Sequence, residues 1–424
     1  MNRIILIGNG FDLAHNMPTS YTDFINNYWK VECLNAKTAG NCYENEIFNI
    51  STCQYNINSI IGSRGVNSYK ELVEYISSFN RTYPSAKARI EFKRLFFEDI
   101  TKQVRLKKWV DIEDEYYKQL KEYSACTPIG LGVERLNGEL KFIEELLCKY
   151  LITIEGNYSS DSIIPQIKKK IYSKFKFQDL SFPSSELYIK EIKQKVSEIA
   201  QNGLTNKQGT RFYDTYKDST STVRHICDYA KNVSNEDLEF NIRAGALPDY
   251  FMMPEDIMFL NFNYTHTEKK YITSSIIEVV HIHGEINNKD NPVIFGYGDE
   301  LGQDYQRIEN LGDNECLKNM KSIRYTETDN YKKLLAFVES DLYQISIMGH
   351  SCGTSDRTLL NTLFEHKNCA SIKPFYHKIN NEEDNFSDIA RSISRNFTDK
   401  TLMRDRVVNK TYCEPLVEQK AVLK

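Results

Sequence analysis

The chain has 424 residues, of which 41% are hydrophobic and 26% are charged, and its formal net charge is −4. This composition is typical of a globular protein, and the mildly acidic balance argues against a protein that binds duplex DNA through a broad basic face. The sequence has no apolar run long enough to span a bilayer, and four apolar residues before Gly8 are too few for a signal peptide. We therefore expect a cytoplasmic protein without membrane contact.

The first element is a strand. Residues 4–7 read IILI, a mostly β-branched run without alternation, which favours a strand buried on both faces of a parallel sheet. The sequence Gly8-Asn9-Gly10 ends this strand, and a helix is predicted to follow Pro18.

Helical periodicity dominates the next two hundred residues. Amphipathic stretches at 86–104, 110–123 and 133–154 predict helices, and strand-like runs are rare. Residues 31–249 therefore form a predicted helical insertion or second domain.

Strand patterns return at 257–260, 276–282, 293–295, 345–348 and 372–376. Helical stretches such as 331–337 and 359–365 lie between them, and this alternation predicts a parallel α/β sheet. The predicted organisation is one Rossmann-like core made of residues 1–30 and 250–400, split by the insertion, with a C-terminal tail at 401–424.

The loop after the first strand is the first candidate site, comprising Gly8, Asn9, Gly10, Phe11 and Asp12. Glycines here allow a backbone to approach a phosphate, and backbone amides at the start of a helix attract anions. Positions 13 and 16 are Leu and Asn, so the third glycine of the dinucleotide fingerprint is missing. A plain tight turn is the alternative.

Two further motifs follow strands. Asn263 lies in NFNYTH at 261–266, where either a ligand contact or an Asx-turn is consistent with the sequence. His281, His283 and Gly284 lie in HIHGE, and Gly284 is expected to turn the chain so that His283 lies at a strand end as a general base. The alternatives are a metal site built on both histidines and a purely structural pair.

The last motif is GHSCGTSD at 349–356, which contains Gly349, Ser351, Ser355 and Asp356. It follows a strand and is typical of a turn that contacts phosphate or ribose, with Ser355 or Asp356 as the cap of the next helix.

Several of these motifs resemble one family. The stretch ILIGNGFDLAHNMPTSYTDF at 5–24 is similar to the N-termini of the AbiH family of bacterial phage-defence (abortive infection) proteins. FNYT, HIHG and GHSxGxSD are similar to it as well, and the helical middle only loosely, at WVDIE (109–113).

The AbiH motifs in turn resemble the wider sirtuin-like fold, which binds NAD beside a Rossmann sheet. Its GAGxS and GIP loop resembles GNGFD and NMP here, its TQNxD resembles NFNYT, its catalytic His-Gly resembles HG at 283–284, and its GTS turn falls near 349–351. Thr265 and Asp12 depart from the family's Asp and Ser. The chain lacks CxxC pairs for a zinc ribbon, which argues against a deacetylase.

This resemblance implies an NAD glycohydrolase that causes abortive infection, with NAD as substrate and no cofactor. It implies Asn263 and His283 as catalytic residues. The substrate contacts implied are Gly8, Asn9, Gly10, Phe11, Asp12, Gly284, Gly349, Ser351 and Asp356. Expected partners are a second copy of the chain, a defence protein or a phage-derived trigger. The alternatives are a metal-dependent nuclease or phosphohydrolase centred on His281 and His283, and a non-catalytic nucleotide sensor.

Overall fold

A computed structural model describes most of the chain. The described residues are 1–53, 55–62, 65–107, 111–125, 130–158, 163–204, 220–273, 277–380 and 382–418. They form eight strands, which are β1 (Asn2–Ile7), β2 (Cys42–Glu44), β3 (Phe48–Ser51), β4 (Arg89–Phe92), β5 (Ile257–Asn261), β6 (Ile277–His281), β7 (Tyr343–Met348) and β8 (Cys369–Phe375). No helix in this part of the chain has the length and apolar character that a membrane span requires.

Five strands form one all-parallel sheet in the order β6-β5-β1-β7-β8, so the protein is of the α/β class. The predicted strand at residues 4–7 is the centre of this sheet, with β5 on one side and β7 on the other. The chain adds β5 and β6 in one direction and then crosses to the other side of β1. In open parallel sheets, such a reversal of strand order opens a crevice at the carboxyl ends of the strands.

Side chains of β1 alternate between two helical layers, as the period of a strand requires. Ile5 and Ile7 belong to one core, and Ile4 and Leu6 belong to the core on the opposite face. The helices of the first layer are Pro165–Ile171, Phe182–Asn202, Thr220–Asn232, Asn235–Ala244 and Asp249–Met252. The helices of the second layer are Asn330–Ser340, Arg357–Glu365 and Phe386–Asn396.

A third body, here called the cap, comprises most of residues 21–157. Its helices are Tyr21–Ala36, Ile57–Ile61, Tyr69–Thr82, Leu95–Lys107, Ile112–Ser124 and Gly130–Asn157, and β2, β3 and β4 form an antiparallel sheet within it. The core of the cap also includes Tyr264, Ile286 and Phe295 from the loops that follow β5 and β6. The cap therefore packs over the carboxyl ends of these strands.

Short elements complete the chain. The remaining α-helices are Asn9–Ala14, Gln303–Glu309, Asn314–Leu317, Lys321–Arg324 and Lys400–Arg406. Short 3-10 helices are found at Phe177–Asp179, Thr267–Tyr271, Tyr325–Glu327, Thr354–Asp356 and Lys410–Tyr412.

Two sequence predictions of local structure are wrong. The stretch 86–104 is not one helix, because Arg89–Phe92 forms β4, in which Ile90 and Phe92 alternate with more exposed residues. Residues 293–295 are not a strand, since the backbone N–H of Ile294 donates to the carbonyl oxygen of His283 (2.8 Å) and no ladder follows. The predicted tail includes a helix, and Leu416 packs into the core of the first layer.

Candidate functional site

A cavity of about 480 Å³ lies where the cap meets the carboxyl edge of the sheet. It is lined by nine of the eleven predicted site residues, which are Gly8, Asn9, Gly10, Asp12, Asn263, His283, Gly349, Ser351 and Asp356. The cap contributes Tyr21, Asp111, Glu113 and Leu147 to the opposite wall. The cavity thus combines motifs that are more than three hundred residues apart.

The glycines hold the loops after β1 and β7 in direct backbone contact. A Cβ atom on Gly8 would lie 2.5 Å from Cα of His350, and one on Gly10 would lie 2.9 Å from Cα of Gly349. The N–H of Gly10 donates to the carbonyl oxygen of Gly349 (2.9 Å), and that of Gly8 lies 3.5 Å from the carbonyl oxygen of Met348. These two amides therefore hold the loop together, which is a different role from the predicted contact with a pyrophosphate.

The two predicted site residues that do not line the cavity are Phe11 and Gly284. The Phe11 ring is fully buried and packs edge-on against Tyr271. Gly284 has φ +75°, and a Cβ there would lie 2.0 Å from the carbonyl oxygen of Pro292. Gly284 makes the sharp turn after His283 that the sequence predicts, and it contributes to the site through the backbone only.

Asp12 is a buried carboxylate in the cavity wall. Its Oδ2 atom accepts a hydrogen bond from Oγ1 of Thr265 (2.6 Å), and its Oδ1 atom has no hydrogen-bond partner among the described residues. Burial raises the pKa of Asp12 to about 6, against the opposing effect of the Thr265 hydrogen bond. The unpaired Oδ1 atom is shielded from solvent, so it is a buried acceptor without a donor in the described part of the chain.

Asn263 is held by its neighbours. Its backbone N–H donates to Oδ1 of Asn261 (2.9 Å), which is the Asx-turn that the sequence offered as an alternative. Its side-chain Nδ2 donates to the carbonyl oxygen of Gly8 (3.1 Å). This bond joins the loop after β5 to the loop after β1 and fixes the orientation of the carboxamide at the cavity.

Below the cavity, Lys321 bridges two carboxylates. Its Nζ atom lies 2.8 Å from Oε2 of Glu113 and 2.9 Å from Oδ1 of Asp356, and the lysine side chain is fully buried. Burial alone would raise the pKa of Asp356, but Lys321 and then His283 outweigh it and hold that pKa well below its usual value. Burial raises the pKa of Glu113 to about 8, although the positive charge of Lys321 opposes this rise. Asp356 is therefore the ionised partner of the lysine.

Asp356 precedes the helix Arg357–Glu365, but its side chain makes no capping hydrogen bond. Its carboxylate instead lies beside two histidines on different loops. Nε2 of His283 lies 3.1 Å from Oδ1, and Nε2 of His350 lies 3.5 Å from Oδ2. Nδ1 of His350 accepts from the backbone N–H of Cys352 (3.0 Å), so the His350 proton is on Nε2 and faces the carboxylate.

His283 is positioned as a neutral imidazole. Its Nε2 atom faces Asp356 and also lies 3.2 Å from the hydroxyl of Tyr325, while Nδ1 has no hydrogen bond among the described residues. Burial, followed by the positive charge of Lys321, lowers the pKa of His283 to about 4. With the proton on Nε2 facing Asp356, the lone pair is on Nδ1, as in a histidine oriented by a carboxylate for general-base catalysis.

The two histidines of the HIHG motif contact different groups. Nε2 of His281 lies 3.1 Å from Oε1 of Glu268, whereas His283 contacts Asp356. His281 is the last residue of β6, so His283 lies beyond the strand and the two side chains do not share a strand face. The geometry does not provide the metal dyad that the spacing allows.

Three important residues of this site were not predicted from the sequence. Lys321 and Tyr325 lie in short helical segments without a glycine, histidine or strand signal nearby. Glu113 is part of WVDIE, where the similarity to the AbiH family gave a signal, although no role was predicted for it. Trp109 and Val110 of that stretch lie outside the described residues.

The fold and the site define an α/β protein in which a cavity lined by buried ionisable side chains lies at the carboxyl edge of an all-parallel sheet. The family described as bacteriophage abortive infection AbiH matches residues 4–377. The chain therefore belongs to the AbiH family, and this membership implies a role in phage abortive infection. Comparisons with curated proteins and with solved structures find no match.

Proposed function

We propose that this chain binds NAD in the central cavity and hydrolyses its nicotinamide–ribose bond during phage defence. The observation that carries the proposal is the convergence of Asn263, His283 and the first glycine loop on one cavity. Its volume of about 480 Å³ is within the range of small-molecule and cofactor sites.

The sheet topology supports a nucleotide as the ligand. Numbered by their order in the chain, the five parallel strands run 3-2-1-4-5, which is the order of Rossmann dinucleotide-binding sheets. Such sheets bind their ligand outside the carboxyl ends of the strands where the order reverses, and the cavity lies at this edge. This topology also agrees with the sirtuin-like resemblance of the motifs.

The charges around the cavity suit the chemistry of glycosidic cleavage. As the C1′–N1 bond breaks, its electron pair leaves with neutral nicotinamide and the ribose becomes an oxocarbenium-like cation. Carboxylates stabilise such a cation, and Asp12 and Asp356 both line the cavity.

His283 would activate the water that completes the reaction. The water oxygen forms the new bond to C1′, and its proton passes to Nδ1 of His283, with Asp356 stabilising the imidazolium through Nε2. The carboxamide of Asn263, held by the carbonyl of Gly8, would orient the water or the ribose. The products are nicotinamide, ADP-ribose and a proton.

The test is incubation of the purified full chain with NAD, with and without lysate from phage-infected cells, followed by chromatography of nicotinamide. We expect nicotinamide release that His283→Ala or Asn263→Ala lowers by roughly 10²-fold or more. His225→Ala, at an exposed position on Thr220–Asn232, is the matched control and should retain full activity. NAD that binds but is never consumed under either condition would indicate the nucleotide sensor and overturn the enzyme proposal.

A further inference from the structure

A second polar cluster lies behind the loop that contains Asn263. His266 follows this loop, His281 ends β6, and Glu285 follows the turn at Gly284. One ligand atom from each of these three side chains lies within 4.8 Å of the other two. His281 is buried, and the side chains of His266 and Glu285 are each 18% exposed. These three residues are called the His-Glu cluster below.

Each member of the His-Glu cluster is also held by a group behind it. Nδ1 of His266 lies 3.1 Å from Oε1 of Glu155, on the long cap helix. Oε1 of Glu285 accepts from Nδ2 of Asn288 (2.9 Å), which leaves Oε2 to face Nε2 of His266 at 2.7 Å. Metal-binding histidines and carboxylates are oriented by outer partners of this kind.

His281 is oriented in the same way. Its Nδ1 atom lies 3.2 Å from the carbonyl oxygen of Asn263, and this contact requires a proton on Nδ1. Its Nε2 atom lies 3.1 Å from Oε1 of Glu268, which is fully buried.

The charges around the cluster are mainly negative. Glu155, Glu268 and Glu285 surround two imidazoles, and the nearby Lys269 is exposed. A divalent cation at this position would balance these carboxylates.

We propose that His266, His281 and Glu285 bind one divalent transition metal ion of the zinc class. Two imidazole nitrogens and one carboxylate oxygen are a ligand set that zinc accepts, whereas magnesium and calcium prefer oxygen ligands only. In a tetrahedral zinc site such ligand atoms lie about 3.3 Å apart, so the observed limit of 4.8 Å requires only small side-chain movements. The fourth position is available to water.

The site is distinct from the cavity chemistry. Its residues do not line the cavity, but His281 holds the carbonyl of Asn263, and Thr265 beside His266 bonds to Asp12. The ion would fasten the loop at 263–266 to the end of β6 and, through Glu155, to the cap. Its role is therefore structural.

The full chain, stripped of metal with a chelator and dialysed, would be titrated with Zn²⁺ and separately with Co²⁺. We expect one ion per chain and a visible Co²⁺ absorption typical of tetrahedral nitrogen and oxygen ligands. His266→Ala and Glu285→Gln should each weaken Zn²⁺ binding at least tenfold, whereas the control His225→Ala should bind as wild type does. Zn²⁺ should raise the melting temperature of the wild type and not that of the two variants.

X-ray absorption spectroscopy of the zinc-loaded wild type gives a test that does not require any variant to fold. The spectrum should show imidazole and oxygen ligands only. Sulfur in the zinc shell would instead assign the ion to the free cysteines of the chain. That result, a stoichiometry far below one ion per folded chain, or wild-type affinity in both variants would each overturn the proposal. None of these measurements depends on NAD hydrolysis.

Discussion

Nζ of Lys321 lies 2.9 Å from Oδ1 of Asp356 in a buried ion pair. The same carboxylate lies against the imidazole of His283. The same lysine also contacts Glu113 on the cap, so one positive charge joins the cap to the loop that follows β7. The charged side chains below the cavity thus form one ion network, to which three distant parts of the chain contribute.

Lys321→Met should destabilise the protein strongly. The substitution removes the cation but leaves the buried charge of Asp356 without it, and breaking a buried ion pair from one side costs about 3–5 kcal/mol. Chemical unfolding at pH 7 would measure the loss. Lys318→Met is the control, because Lys318 pairs with Glu315 on the surface and its removal should cost less than about 1 kcal/mol. Equal effects of the two substitutions would contradict the assigned role of Lys321.

His283 should make the folded state less stable as the pH falls. Its pKa is about 4 when folded, against an ordinary value of 6.5, so the unfolded chain takes up the proton first. The resulting destabilisation of the folded state is absent above pH 6.5, grows as the pH falls, and reaches roughly 3 kcal/mol near pH 4. We expect the difference in unfolding free energy between wild type and His283→Gln to change by this amount from pH 7 to pH 4. A difference that is constant with pH would show that His283 titrates normally.

Asp12 should produce the opposite slope. Its pKa is raised to about 6 from 3.8, so the folded state keeps its proton longer and stability declines as the pH rises between these values. The Asp12→Asn variant should not lose stability in this way, because an amide does not ionise. Its side-chain oxygen can still accept the hydrogen bond from Thr265. The stability of the variant relative to wild type should therefore increase by roughly 2.4 kcal/mol from pH 4 to pH 7. The exposed Asp329→Asn is the control and should show no comparable trend.

The parts of this structure that could be predicted from sequence are those with local signals. The buried run before Gly8 identifies the central strand, and glycine, asparagine and histidine after successive strands identify loops that meet at one edge of a parallel sheet. Asn16, at one position where the fingerprint glycine is missing, has φ +61°, a left-handed conformation that asparagine tolerates. Such features depend on residues close together in the chain, so a single sequence contains them.

The ion network could not be predicted in this way. Lys321 and Glu113 are 208 positions apart, and neither is marked by periodicity or by a turn residue. Asp356 was expected as a possible helix cap because its local position allows it, yet the buried cation attracts its carboxylate more strongly. The strand β4 was missed because its short alternation is embedded in an amphipathic stretch, and its pairing with β3 is a tertiary effect.

Gly349→Ala should disrupt the cavity, whereas Gly312→Ala should be tolerated. Both glycines have positive φ, +83° and +67°, so both substitutions carry the same local strain of about 1 kcal/mol. The space around them differs, because a Cβ on Gly349 would lie 2.1 Å from the backbone nitrogen of Phe11, while no atom of the described residues lies within 4 Å of a Cβ on Gly312. The Phe11 contact is with backbone, so it cannot be relieved by rotating a side chain. The loop after β1 must move away from the loop after β7, and the hydrogen bond from Gly10 to Gly349 breaks.

Thermal unfolding should show a much lower melting temperature for Gly349→Ala than for Gly312→Ala. Similar melting temperatures would mean that the two loops do not meet as closely as described.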